Sequence, residues 1–337
     1  MSALSHFAVA VHHLSRGGAM ALAFTAAAVT GLAINGTAYA QSDNNISVTV
    51  QPTTTALPLV VADKKGMFAK NNVAVKWTVS QVPISDSIAA LGRQFNVVMG
   101  TQPALIAASG QGVPIVVVTG GGLDTAKIPT SKIVAREGSG IKTYKDLAGK
   151  TIGTLTLTGN IHFALLNILQ KEGVDFNKIR WVTGTVPQLP DLLKAGRVDA
   201  IEEIEPFATS AIAAGGFDLG APFRSVGDRA FIGLWLSERN WANNNKDLVL
   251  RFNKALEEAS NWIAANNGEA KEILSSFTGL KGVALEKTPI PEFHFSTTSD
   301  DLKKQLRPDL EVWLDILKRT SDFPPVKLET LLPSWAE

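Results

Sequence analysis

Four short stretches of this 337-residue chain put small polar groups where an apolar, strand-like run gives way to a helical one. They are Thr53-Thr54-Thr55, Gly100-Thr101-Gln102, Thr158-Gly159-Asn160 with His162 just beyond, and Glu203-Ile204-Glu205-Pro206 followed by Phe207. Groups of this kind at such a junction admit three chemistries: a nucleophile, a cradle for a polar solute, or helix capping. A nucleophile needs a base in reach and a group that orients the base. Beyond residue 40 the only histidines are His162 and His294, neither in a recognisable base-and-orienter setting, and no G-x-S-x-G elbow occurs. Cradle and cap remain. Helix N-termini carry unsatisfied N–H groups and partial positive charge, which suits anionic or strongly polar groups. Ser, Thr and Asn cap helices everywhere, so one loop alone reads better as a cap. Four loops at the same end of parallel strands shift the reading toward binding.

Other side chains bear on the solute. Arg229 opens the run "RAFIGLWLS" and is the best-placed cation for a carboxylate or sulfonate, though a surface ion pair would use it equally well. Along that run Phe231, Gly233 and Trp235 share one side by period two. Trp235 or Phe231 could stack on a planar solute; core packing is the competing and slightly stronger reading. Glu203 and Glu205 fall on one side of their strand and Glu202 on the other. No Asp-rich calcium loop exists, and beyond residue 40 two histidines and one tyrosine, Tyr144, are too few for an iron or zinc site. No metal and no cofactor is expected.

Elements of a definite kind must position these loops. Short apolar runs at 46–51, 73–80, 95–99 and 113–120 alternate with helical segments, and the pattern restarts from 130. That alternation predicts βα units and largely parallel sheets. "NIHFALLNILQKEG" is amphipathic, with Ile161, Leu165, Leu166 and Leu169 on one face and Gly173 as a stop. The chain ends in helices. The runs 130–137 and 229–237 are expected to connect two lobes, with lobe 1 comprising 41–130 plus 238–337 and lobe 2 comprising 131–237. Ligands of such folds bind outside the carboxyl ends of the strands.

Composition narrows the class. The chain is 45% hydrophobic and 19% charged, with 32 basic and 31 acidic residues, and lacks any basic run that would follow phosphates. Nucleic acid is not an expected partner. It has no cysteine, which removes disulfides, thiolate nucleophiles and thiolate metal sites. Residues 1–40 hold an apolar core of about sixteen residues, short for a membrane span, before Ala38-Tyr39-Ala40. A signal peptide cleaved after Ala40 is expected, and a periplasmic protein with it.

The order of "LVVADKKGMFAKNNVAVKW", "AALGRQFNVVMGTQPALIAASGQGVPIVVV", "IKTYKDLAGKTIG", "TLTGNIHFALLNILQKEGV" and "LLKAGRVDAIEEIEPF" resembles the nitrate/sulfonate/thiamine-precursor branch of ABC-transporter solute-binding proteins over roughly residues 46–215. The resemblance implies a two-lobed α/β periplasmic-binding-protein fold (type II) with two hinge strands. It also implies that the four loops line one cleft, and that a monomer delivers a small solute to an inner-membrane ABC permease. A small organic anion is the leading expectation. A heterocyclic or amine-bearing solute and a ligand-presenting sensor subunit are the alternatives. A relative of this branch that makes the thiamine pyrimidine uses a cysteine-rich loop, which this chain lacks.

Overall fold

The computed structural model describes residues 44–80 and 84–336. The expected signal segment 1–40 and its cleavage point lie outside them. Two five-stranded sheets carry the molecule. The first holds β1 (Asn45–Val50), β2 (Ala74–Val79), β3 (Val97–Gly100), β4 (Ile115–Thr119) and β12 (Leu234–Glu238), in the order β2-β1-β3-β12-β4. The second holds β6 (Ser131–Ala135), β7 (Thr151–Thr154), β8 (Arg180–Thr183), β9 (Ala200–Ile204) and β10 (Phe217–Gly220), in the order β10-β6-β9-β7-β8. Each sheet has a parallel trio and one antiparallel intruder. β1 runs parallel to β2 and β3, while β12 opposes β3 and β4. β7 runs parallel to β8 and β9, while β6 opposes β9 and β10. Every residue of β4 is buried, as a strand covered on both faces requires.

Helices follow the strands as the periodicity predicts. α1 (Leu57–Lys64) has Pro58 in its first turn, where a missing N–H costs little. α2 (Met67–Lys70), α3 (Ile84–Ala89) and α4 (Gln102–Gly110) complete the first half. α5 (Asn160–Lys171) buries Phe163, Leu165, Leu166 and Leu169 and is halted at Gly173, whose φ of 72° suits only glycine at low cost. α6 (Gln188–Lys194) and α7 (Phe207–Ala213) cover one face of the second sheet, packing Leu189, Leu193, Ala208 and Ala211 against Val134 and Ile201. The tail is α8 (Arg239–Asn244), α9 (Lys246–Ala265), α10 (Asn267–Thr278), α11 (Gly282–Lys287) and α12 (Ser299–Thr320). α9 packs on α1 over the first sheet, whereas α12 packs on both α4 and α5 and so touches both halves. Among the described residues no helix is long and apolar enough to cross a membrane.

The connection between the sheets differs from the sequence expectation. The 130–137 run is not a connector; as β6 it is a full member of the second sheet. The outward path is β5 (Gly122–Thr125), too short and glycine-flanked to stand out in the sequence. The 229–237 run is not one strand either. It breaks at Ile232-Gly233 into β11 (Arg229–Phe231) and β12. β11 and β13 (Glu292–Phe293) both pair antiparallel with β5, making a small third sheet at the crossing. The break also cancels the period-two argument that put Phe231 and Trp235 on one face.

Candidate functional site

All four polar junctions sit at the carboxyl ends of the inner parallel strands β1, β3, β7 and β9. These are the points where strand order reverses in each sheet, and where helix N-termini converge. The loops are tied to the crossing. Thr55 packs against it: a Cβ placed on Gly122 would stand 3.0 Å from the Thr55 methyl. Gln102 donates to the Phe231 carbonyl at 2.9 Å and Asn160 to the Ile232 carbonyl at 3.1 Å. Glu205 N donates to the Thr130 carbonyl at 3.0 Å, and Thr130 in turn donates through N and Oγ1 to the buried Asp124 of β5.

Capping does not account for the hydroxyls. Thr53 precedes the one-turn helix 54–56 and Thr101 precedes α4, and neither side chain accepts from a first-turn N–H. Thr53 and Thr55 instead share a hydroxyl–hydroxyl hydrogen bond of 2.7 Å. Thr158, exposed, pairs with Thr156 at 3.1 Å, and Gly159 before α5 offers no cap. At α7 the Glu205 carboxylate accepts from Thr209 N at 3.0 Å, leaving Phe207 half-buried beside it.

The acidic groups are unevenly treated. Glu203 is fully buried; its Oε1 accepts from Ile204 N at 2.9 Å, and its Oε2 is buried with no partner. Burial pushes its carboxyl up to about 9 against the help of that backbone bond, and the nearby Glu205 charge pushes the same way. Glu203 is therefore a neutral acid at neutral pH, holding a proton with no acceptor. Glu202, on the opposite face, lies 3.0 Å from His162 Nδ1 through Oε1 and accepts from Thr154 Oγ1 at 2.5 Å through Oε2. The His162 ring also stands edge-on to Trp181, centroids 4.4 Å apart. His162 thus has an orienting acid that the sequence did not reveal, because the helix residue His162 and its partner on β9 lie forty residues apart. The set is not a nucleophile triad: Thr154 is bonded to the acid, not to the imidazole.

The remaining expected residues fall elsewhere. Trp235 is 1% exposed and stands edge-on to Phe252 in the core of the first sheet, the packing role rather than the stacking one. Phe231 is likewise buried. Arg229 is exposed, bonded to Gln305 of α12 at 3.0 Å and laid over the Phe231 ring. Thr101 and Gln102 are buried, and Gln102 is committed to structural bonds. Thr53, Thr54, Thr55 and Glu205 remain half-buried at the junctions. No lysine or arginine is buried among the described residues, whereas Asp124, Glu202 and Glu203 are. Among the same residues no three His, Asp or Glu side chains gather to hold a metal.

Comparison with known proteins agrees with this architecture. A family model described as NMT1/THI5 like matches residues 53–270. A Haemophilus influenzae protein named for thiamine biosynthesis is 28% identical over 222 residues, covering 65% of this chain and 68% of its own. The periplasmic aliphatic sulphonate binding protein SsuA of Escherichia coli superposes with a TM-score of 0.67 at 17% identity, covering 86% of this chain and 97% of its own. The periplasmic nitrate-binding protein NrtA of Synechocystis PCC 6803 gives 0.61 at 12% identity, covering 88% and 93%. At these identities the structural likeness speaks for the fold: two sheets of mostly parallel strands flanked by helices.

Proposed function

Because the chain belongs to the NMT1/THI5-like family, we propose that it is the exported, periplasmic solute-binding subunit of an ABC importer. It holds one small polar solute between its two halves and hands it unchanged to a membrane permease. The observation that carries this reading is the convergence of four strand-to-helix junctions, two from each sheet, on one crossing. Their hydroxyls and first-turn N–H groups are largely not spent on each other as side-chain caps. Solute that bridges both halves favours the closed arrangement, a population shift rather than a chemical step. The family relationship supplies the permease as partner; a monomer is the form we propose.

For the class of solute, the buried acids favour a molecule with N–H donors or a cationic nitrogen, such as an amino-substituted heterocycle. Glu203 has an unused oxygen beside the fourth junction, no lysine or arginine among the described residues forms an ion pair with it, whereas Asp124 is already paired with Arg224, and Arg229 is held against α12. A relative named for thiamine biosynthesis points the same way. The second reading, an organic anion such as a sulfonate or carboxylate, rests on the uncapped helix N-termini and on the sulphonate- and nitrate-binding proteins of the same fold. A thermal-shift panel of alkyl and aryl sulfonates, carboxylates, alkylamines and aminopyrimidines separates the two, because a ligand of the native state alone raises the melting point. Shifts confined to sulfonates and carboxylates reject the amine class; no shift with any solute rejects binding in this range. Consumption of a bound solute, followed by mass spectrometry, would replace transport with catalysis.

A further inference from the structure

The crossing between the two halves carries more hydrogen bonding than two connecting strands need. Where β11 ends, two successive carbonyls are taken by side-chain amides. Gln102, the first residue of α4, donates from Nε2 to Phe231 O at 2.9 Å and to Asp309 Oδ2 at 2.7 Å. Asn160, the first residue of α5, donates from Nδ2 to Ile232 O at 3.1 Å, while its Oδ1 accepts from Ile161 N at 3.0 Å. Ile232 N donates to Gly122 O at 2.9 Å, and Phe231 N reaches Asp309 Oδ1 at 3.4 Å. One amide thus comes from a helix of the first sheet and the other from a helix of the second.

The orientation of Gln102 is imposed. Both of its donor contacts are to acceptors, and its Oε1 is buried with no partner. An amide that gives up its acceptor to keep two donor bonds is there for those bonds. Asn160 differs in one respect that matters. It travels with the second sheet, while the Ile232 carbonyl lies on the path back to the first. Rotation of one half against the other must stretch the Asn160–Ile232 bond and leave the Ile232–Gly122 bond, which lies within the crossing, intact.

We propose that Gln102 and Asn160 form an interlobe latch: positioning residues that grip the Phe231 and Ile232 carbonyls and hold the two halves in the arrangement seen here, with Asp309 fixing the Gln102 amide. Asn160 then acts on the hinge rather than on the solute. The latch biases the solute-free protein toward this arrangement. A bias of that kind raises apparent affinity by raising the fraction of binding-competent molecules. The inference rests on the two-lobed reading of the site but not on which solute it takes.

The test uses solute-free protein. Asn160→Asp keeps the acceptor for Ile161 N and sets a carboxylate oxygen against Ile232 O in place of the donor, adding repulsion to the lost bond; Asn160→Ala removes donor and acceptor without adding charge. Small-angle scattering should show a larger radius of gyration for both variants than for wild type. Amide exchange across 229–235 should quicken about five- to tenfold, the loss of one ordinary hydrogen bond. Scattering and exchange unchanged in Asn160→Asp overturn the latch, and that variant decides even where Asn160→Ala folds poorly. Because no solute is present, a failed solute panel leaves this result standing, and a failed latch leaves the solute reading standing.

Discussion

At the residue scale, the informative groups are those whose ordinary partners are missing. Glu203 keeps a proton in a place where nothing accepts it. A solute that brings a cationic nitrogen should expel that proton, so its affinity should rise with pH toward about 9. Calorimetry in two buffers of different ionisation enthalpy should report proton release on binding an alkylamine, which arrives already protonated, and Glu203→Gln should abolish the release. Absence of release in wild type would mean that Glu203 donates to the solute or never meets it. The threonine row is a second case. Since Thr53 caps no N–H, replacing Thr53, Thr54 and Thr55 together by alanine should weaken binding by about tenfold or more, at roughly 1 kcal/mol for each hydrogen bond to the solute that is removed. The melting point of this variant should stay within a few degrees of wild type. Equal loss of binding and stability would return the row to a structural role.

At the element scale, the crossing is the part that periodicity misread, and it is closely packed around its glycines. Gly120 lies just before β5, and a Cβ there would run into the Phe231 ring and stand 2.9 Å from the His294 carbonyl. Gly120→Ala should therefore cost about 1–3 kcal/mol in urea unfolding, the usual penalty of overpacking. Trp235 belongs to the same scale. It anchors β12 against Phe252 of α9, so Trp235→Ala should lose about 3–5 kcal/mol of stability. A variant that stayed fully stable while losing only solute affinity would restore Trp235 to the cleft.

At the scale of the whole molecule, two acids set one slope. Burial raises Glu203 from 4.5 to about 9 and Asp309 from 3.8 to about 7. Asp309 is crowded by protein although part of the residue stays exposed, and its bonds from Gln102 and Phe231 and the Arg229 charge only partly offset the burial. For both groups the native state binds more protons than the unfolded chain above the unfolded pKa. Their contribution is therefore most favourable below about pH 4 and is lost as pH rises through about 7 for Asp309 and about 9 for Glu203. Melting temperature should fall across that window, and Asp309→Asn and Glu203→Gln should each flatten it, Asp309→Asn in the lower part and Glu203→Gln across the whole. A melting temperature that rose with pH there would contradict the raised pKa of both acids.

Much of this protein was legible in its residues. Alternating β-branched runs and an amphipathic helix with a glycine stop are local patterns. They placed β1, β3, β7, β9 and the helices after them, and so also the four polar loops, because chain geometry alone puts a loop at the carboxyl end of its strand. What local pattern cannot carry is pairing between distant segments. β5 is only four residues long, and its strand character comes from β11 and β13 on either side. The same is true of charge. Glu202, Glu203 and Glu205 look alike in the sequence. Only the packing of α5 on one face of β9 and of α6 and α7 on the other paired the first with His162 and left the second an orphaned neutral acid, and only its place before α7 made the third a helix cap. The expectation of export, the absence of cysteine and the α/β alternation came from composition and order. The latch, the buried proton and the commitment of Trp235 to the core were decided by the tertiary structure, because desolvation and hydrogen bonding depend on what lies beside a group in space.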